Sequence, residues 1–358
     1  MDDLKELLKA FSDASGPSGF EGEASDLLRR TLAPVVDTVT VDVLGNVIGT
    51  RRGGGPSLMI AAHMDEIGVM VKYVDEQGFL RFVPIGGWFD QTILGQRMIV
   101  HGSKGRLVGV IGSKPPHLMD EEDRKKPIKL RDMFIDIGAK SAADAADLGV
   151  EIGTIVTLDR SMAEMANGYV TGKAFDDRAG VVMMVAALQR VQTRDVRATV
   201  HAVGTVQEEV GLKGARTSAF GLDPDVALVS ETTIPGDHPE IKKEQVHLET
   251  GKGPGITVAD ADGRGIIVSR PVLDWLRSTA EAASIPYQLD IISGGTTDAT
   301  AIHLTKSGIP AGVISVPTRY LHSPVEVLSL DDLDRGAELI AQAILTAHQH
   351  FGKAMRQG

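Results

Sequence analysis

The 358-residue chain contains no cysteine. Disulfides, thiolate zinc sites and cysteine nucleophiles are thereby excluded, so any metal must be held by His and carboxylates. It also lacks an apolar stretch long enough to cross a bilayer as a helix, and no membrane partner is expected. Positive charge is in deficit: 37 Lys and Arg stand against 48 Asp and Glu, a formal net charge of −11. Nucleic acid is not expected as a partner, because phosphate binding needs clustered basic residues. The opening stretch MDDLKELLKAFSDASG begins acidic and has helical spacing. It lacks the basic-then-apolar order of a signal peptide, which makes a cytoplasmic location the expectation. Internal repeats and low-complexity tracts are also missing. What is there is ordinary globular composition, 42% hydrophobic and 24% charged, on a chain long enough for two domains.

Two amphipathic helices are expected over roughly residues 2–14 and 21–34, broken by the turn Gly16-Pro17-Ser18-Gly19. Alternation around Thr38–Gly49 predicts a strand or hairpin. The apolar run Ser57–Ala62, ending abruptly at His63, suits a strand buried on both faces. From about residue 68 to 164 short Val/Ile-rich runs alternate with glycine turns, the pattern of a small β-barrel or sandwich, interrupted by the charged loop 119–132. An α/β pattern then returns. A helix is expected after Asp177, strands over Ala198–Val206 and Asp225–Ser230, and a helix from near Pro271. Another helix is expected over Asp298–Lys306, then the strand AGVISV and a final helix over Leu330–Phe351. The fold class is α/β: a mixed-sheet α/β/α domain, residues 1–67 plus 165–358, with a small β-barrel inserted at 68–164.

Ligands of α/β enzymes gather at the carboxyl ends of the strands. Polar residues arrive there repeatedly: His63 after SLMIAA, Glu208-Glu209 after ATVHAVGTV, Glu231 after DVALVS, and His322 shortly after AGVISV. Asp176-Asp177 lie in a loop entering a helix. A two-metal hydrolase needs one carboxylate bridging both ions, with a carboxylate and a His completing each side. Imidazole with carboxylate favours zinc, cobalt or manganese over magnesium or calcium. The pair Glu208-Glu209 fits a division of labour in which one ligates metal and the other takes a proton from water. Adjacent residues on a strand point opposite ways, so this pair must lie just past a strand end. Each element alone has a plainer reading. Asp176-Asp177-Arg178 could cap a helix, and Glu208-Glu209 could be a solvated pair. GGTTD at 294–298 lacks the ending of a phosphate loop. His201 and His303 read as structural, His348 and His350 as exposed on the last helix, and His101, His117, His238 and His247 as loop or turn residues.

Together, HMDEIG at 63–68, GKAFDDRAG at 172–180, QEEVGLKGA at 207–215 and GGTTDATAIHLTKSGIPAGVISVPTRYLHSPVE at 294–326 resemble the M42 family of metallo-aminopeptidases, the glutamyl and deblocking enzymes that form tetrahedral particles. The likeness covers essentially the whole chain, and it implies roles for individual residues. Asp176 would bridge two divalent ions, zinc or cobalt with manganese as an alternative. His63 and Glu231 would complete one site, Glu209 and His322 the other. Glu208 would be the general base, and Asp65 would orient the His63 ring. Many members carry Asp where this chain has Glu231, one methylene longer. The resemblance further implies short peptides as substrates. It also implies a dimerising β-barrel and dimers that assemble into a hollow homododecamer.

Overall fold

The runs Ser57–His63, Thr199–Thr205, Val226–Thr233 and Ala311–Arg319 form neighbouring strands at the centre of an eleven-stranded mixed sheet. The computed structural model describes residues 2–352. These four strands pair in parallel, Thr205 beside His63 and Glu231 beside Ser315. Being apolar on both faces, they need cover on both. Phe175–Val191 provides it on one side together with Asp2–Asp13 and Leu330–His350; Lys213–Leu222 and Asp298–Ile302 pack together on the other. Phe175–Val191 is apolar all round and buried nearly throughout, as a central helix must be. Leu330–His350 approaches it closely at Gly336, where a Cβ would sit 2.3 Å from Met183 Sδ. Among the described residues no helix is long and apolar enough to cross a membrane.

Six antiparallel strands from Gly68–Val74 to Ile155–Leu158 close a barrel. It has its own core, with Val69, Val71, Leu80, Met98, Val100 and Val156 among its members, distinct from the large core of the sheet and helices. The hairpin Thr38–Val41/Val47–Arg51 extends one edge of the large sheet onto Thr199–Thr205.

Several details differ from the sequence reading. The strand expected to stop at Ser230 runs to Thr233, because Ser315–Pro317 of the neighbouring strand continues the ladder. The helix expected to reach Lys306 ends at Ile302, and the chain turns through a left-handed Lys306 before Gly308. His101 lies in the strand Arg97–Gly102, paired with Arg106 across a two-residue turn, with Nε2 2.8 Å from Thr157 Oγ1. His348 and His350 are half-buried rather than exposed.

Where the barrel joins the sheet, charge is buried. Lys173 Nζ donates to Glu66 Oε1 (2.9 Å) and Oε2 (2.8 Å) and to the Ala14 carbonyl (3.1 Å). Gly16 N donates to Glu66 Oε1, and Arg178 donates to the Phe11, Ala14 and Gly16 carbonyls. Glu66, Lys173 and Arg178 are each at most 2% exposed. Burial pulls the Lys173 ammonium below its ordinary range, against Glu66, which favours its charge. Removing one member of such a set strands the others without water. Glu66→Ala is therefore expected to lower unfolding stability by about 3–5 kcal/mol, read as a fall in the denaturant midpoint; an unchanged midpoint would contradict this account.

Candidate metal centre

The parallel strands end together, and their ends deliver the acids and imidazoles to one place. His63 is the last residue of its strand and Thr205 stands beside it, so Glu208 and Glu209 lie just past the same edge. Val229 pairs with Ala61; continuing that register two residues brings Glu231 level with His63. His322 comes from the loop after Ala311–Arg319, and Asp176 from the start of Phe175–Val191. The Asp176–Asp177 peptide bond is cis. Left-handed non-glycine residues adjoin these positions: Ala174, Gln207, Tyr320 and His322 itself. Each such residue costs on the order of 1–2 kcal/mol, and strain of this kind collects at functional sites.

At the centre, Asp176 turns one oxygen to each ring. His63 Nε2 is 3.1 Å from Asp176 Oδ1, and His322 Nε2 is 3.2 Å from Asp176 Oδ2. Glu209 Oε1 lies 3.2 Å from His322 Nε2. Glu208 Oε2 and Glu231 Oε1 each lie 3.9 Å from His63 Nε2. The longer Glu231 side chain is held back by its own strand, Oε1 accepting from Thr232 N at 2.9 Å.

These groups are aimed by buried acids. Asp65 Oδ1 accepts from Glu208 N (3.0 Å), and its Oδ2 from Glu209 N (3.2 Å) and Ser18 Oγ (2.7 Å). Glu21 Oε1 accepts the preceding N–H, of Gln207, at 3.1 Å. Three successive amides of one tight turn thus point at two carboxylates. His63 Nδ1 is 3.0 Å from the Asp65 main-chain oxygen and 3.6 Å from its carboxylate, so the carbonyl is the nearer ring partner. With Nδ1–H donated there, Nε2 keeps its lone pair toward Asp176.

Sequence reasoning assigned no role to two further residues. Glu326 is buried and accepts from Asp176 N and His322 N, both at 3.0 Å, tying the two segments together. Its only sequence signal was its place four residues after His322. Asp298 is buried and takes the Thr205 hydroxyl on Oδ2. Asp177 caps the helix through Gly180 N (2.9 Å) and also accepts His63 N (3.2 Å). Gly180 leaves room for this, since a Cβ there would lie 2.2 Å from both Asp177 Oδ1 and the Ser230 carbonyl. Three other histidines have ordinary partners: His201 with Thr50, His303 with the Ala299 carbonyl, and His247 with that of Leu289. Asp237 pairs with Arg319 and Thr250.

The electrostatics of the cluster call for cations. Burial raises Glu208 and Glu231 well above the ordinary carboxylate range, helped at Glu208 by Asp298, Glu231 and Glu209, and at Glu231 by Asp177 and Asp176. Burial opposes charge on both rings. The surrounding acids outweigh it, and Asp176 and Glu209 push His322 up to about 11. Positive charge placed among these carboxylates is therefore strongly favoured. Two triads, His63/Asp176/Glu209 and His63/Glu208/Glu231, present donor atoms within 4.8 Å of one another and could hold a metal ion. A tetrahedral ion with bonds of about 2.0–2.1 Å sets its ligand atoms about 3.4 Å apart, close to the 3.1–3.2 Å contacts found here. Glu209 Oε1 is buried with no aligned hydrogen bond, its near neighbour being the His322 ring nitrogen at 3.2 Å, so both atoms face the space an ion would take. The cluster floors a cleft of about 460 Å³ walled by Leu212, Thr233, Ile234, Ile292 and the Gly294–Thr297 loop.

Known proteins share this architecture. A family model described as M42 glutamyl aminopeptidase matches residues 45–339. A lysyl aminopeptidase of Pyrococcus furiosus is 34% identical over 346 residues, covering 95% of this chain and 96% of that protein. Among solved structures, an aminopeptidase from the archaeon Desulfurococcus kamchatkensis has a TM-score of 0.92 at 45% identity, covering 97% of this chain and 96% of its own. The Pyrococcus horikoshii TET1 peptidase, described as assembling into a tetrahedron or a large octahedral shell, has a TM-score of 0.86 at 34% identity, covering 96% and 99%. The chain therefore belongs to the M42 glutamyl aminopeptidase family and is an exopeptidase, a hydrolase of peptide bonds.

Proposed function

We propose that the protein is a dinuclear-metal aminopeptidase that removes N-terminal residues from short cytoplasmic peptides. The observation that carries this reading is the Asp176 carboxylate, with one oxygen facing His63 and the other His322. On this reading Asp176 would be shared between two divalent ions, zinc or cobalt, with manganese as an alternative. His63 and Glu231 would hold one of them, Glu209 and His322 the other. When bound, such ions supply Lewis acidity, polarising the scissile carbonyl and lowering the pKa of water.

The chain's own residues supply the rest. The cleft's described lining includes Asp176, Glu208, Glu209, Glu231 and Asp260 and no Lys or Arg, a wall suited to the positive α-amino end of a peptide. Glu208 sits in that wall, its main chain fixed by Asp65. Burial raises its carboxyl above the ordinary carboxylate range, the direction that suits a group exchanging protons with water. It takes a proton from the attacking water and passes it to the leaving amine. Asp65 orients this machinery by holding the Glu208-Glu209 turn as well as the His63 loop.

The division into residues 1–67 with 165–358 and an inserted 68–164 follows the two separate cores except at its second boundary, where Met162 and the strand Ala163–Glu164 already join the large core and sheet. Exposed Val83, Val108 and Val110 on the barrel strands favour dimerisation through that module. Assembly of such dimers into a homododecamer is the matching proposal for the whole particle; sedimentation at the mass of a monomer would count against it.

Two further measurements test the chemistry. Glu208→Gln should keep the fold and metal content while lowering kcat on aminoacyl p-nitroanilides by about 10²–10⁴-fold; wild-type turnover would remove Glu208 from the mechanism. Elemental analysis should find two ions per chain, and His322→Ala should lose one of them. Chelation should abolish hydrolysis and zinc, cobalt or manganese should restore it, whereas indifference to chelators would defeat the metal assignment.

A further inference from the structure

Leu212 stands in the wall of the acid-lined cleft, and its other side lines a second depression. This is a groove of about 540 Å³ between helix Lys213–Leu222 and residues 300–306. Two of its large apolar side chains, Phe220 and Leu304, are 62% and 70% exposed. Neither contributes to the core, and neighbouring exposed groups of this size mark a surface meant to be covered.

The groove has the opposite charge to the cleft. Its described lining includes Arg216 and Lys306 and no acid. Lys306 Nζ lies 4.8 Å over the Phe220 ring and 3.4 Å from Asp223. Arg216 is exposed and has no ion-pair partner among the described residues. A peptide has the same polarity, with an ammonium at one end and a carboxylate at the other.

The spacing suits a short chain. Leu212, a left-handed residue, precedes helix Lys213–Leu222 and its carbonyl accepts from Arg216 N. Arg216 and Phe220 follow at one-turn intervals of about 6 Å along the axis and share one helix side. An extended peptide advances about 3.3 Å per residue. Arg216 is thus about two peptide residues from the cleft wall, and Phe220 with Lys306 about four.

We propose that this groove is the subsite for the residues after the scissile bond. It receives an apolar side chain against Leu304 and Phe220 and the free C-terminal carboxylate of a short peptide at Arg216 or Lys306. The inference rests on the aminopeptidase reading. It adds that the enzyme measures its substrate from both ends, favouring peptides of about three to five residues with free carboxylates.

Leucyl, glutamyl and lysyl p-nitroanilides, which end at the scissile bond, test the underlying reading; no turnover of any of them defeats that reading itself. The residue cleaved best is then placed before Leu-Leu, and this tripeptide is compared as free acid and as C-terminal amide. Amidation should raise KM roughly two- to five-fold, the effect of one exposed ion pair, and the difference should disappear in the Arg216→Ala/Lys306→Ala double variant. Leu304→Gln should raise the tripeptide KM relative to the same protein's KM for the anilide. Equal KM for acid and amide in the unmodified protein overturns the proposal, as does an undiminished difference in the double variant. If Leu304→Gln changes sedimentation while its tripeptide-to-anilide KM ratio stays fixed, the groove is a contact between copies of the chain, and the proposal fails.

Discussion

Two adjacent carboxylates, Asp65 and Glu66, must be buried one residue beyond His63, and neither can stay charged there without donors. The rest of the chain provides them. Asp65 takes the amides of Glu208 and Glu209 and the hydroxyl of Ser18. Glu66 takes Lys173 and the amide of Gly16, with Arg178 at 4.0 Å. One dipeptide therefore fixes the N-terminal turn, the approach to Asp176 and the acid pair after the second central strand. Stability and site geometry rest on the same contacts.

The site itself works against folding. Several buried acids crowd two imidazoles, and left-handed residues hold the loops that carry them. Such a cluster is tolerated because its supports lie outside it: Glu326 links Asp176 to His322, Asp177 links the central helix to His63, and Glu21 steadies Gln207. A divalent ion held there would relieve the repulsion that these supports otherwise hold in check. Occupancy and stability would then be linked, since whatever binds the folded state alone stabilises it.

Much of the α/β framework was legible because its strands are continuous apolar runs and its helices show clear periodicity. The barrel was legible from alternation broken by glycines. The short strands Ala163–Glu164, Tyr169–Gly172, Gly255–Ala259, Gln288–Ile291 and Glu326–Ser329 were not; each depends on its partner in the ladder more than on local pattern. The convergence on one rim could be read for His63, Asp176, Glu208, Glu209 and His322 because each follows a strand end or opens a helix. Glu231 was placed after its strand but lies within it, a difference set by pairing with Ser315. Glu326, although it closes the motif at 294–326, and Glu21 were not legible as supports, because a carboxylate that accepts backbone amides leaves no periodic pattern. Asp65 was expected to orient the His63 ring; its carbonyl is the nearer ring partner, while its carboxylate takes the amides of the Glu208-Glu209 turn, a second task with no sequence signal.

The ring contacts of Asp176 also bear on how the cluster comes into being. The whole barrel lies between His63 and Asp176, and the central strands Thr199–Thr205, Val226–Thr233 and Ala311–Arg319 lie between Asp176 and His322. No contiguous segment carries more than a part of the cluster. Its geometry is therefore a property of the closed sheet, and it exists only while the barrel's two connections and the parallel strands are in register.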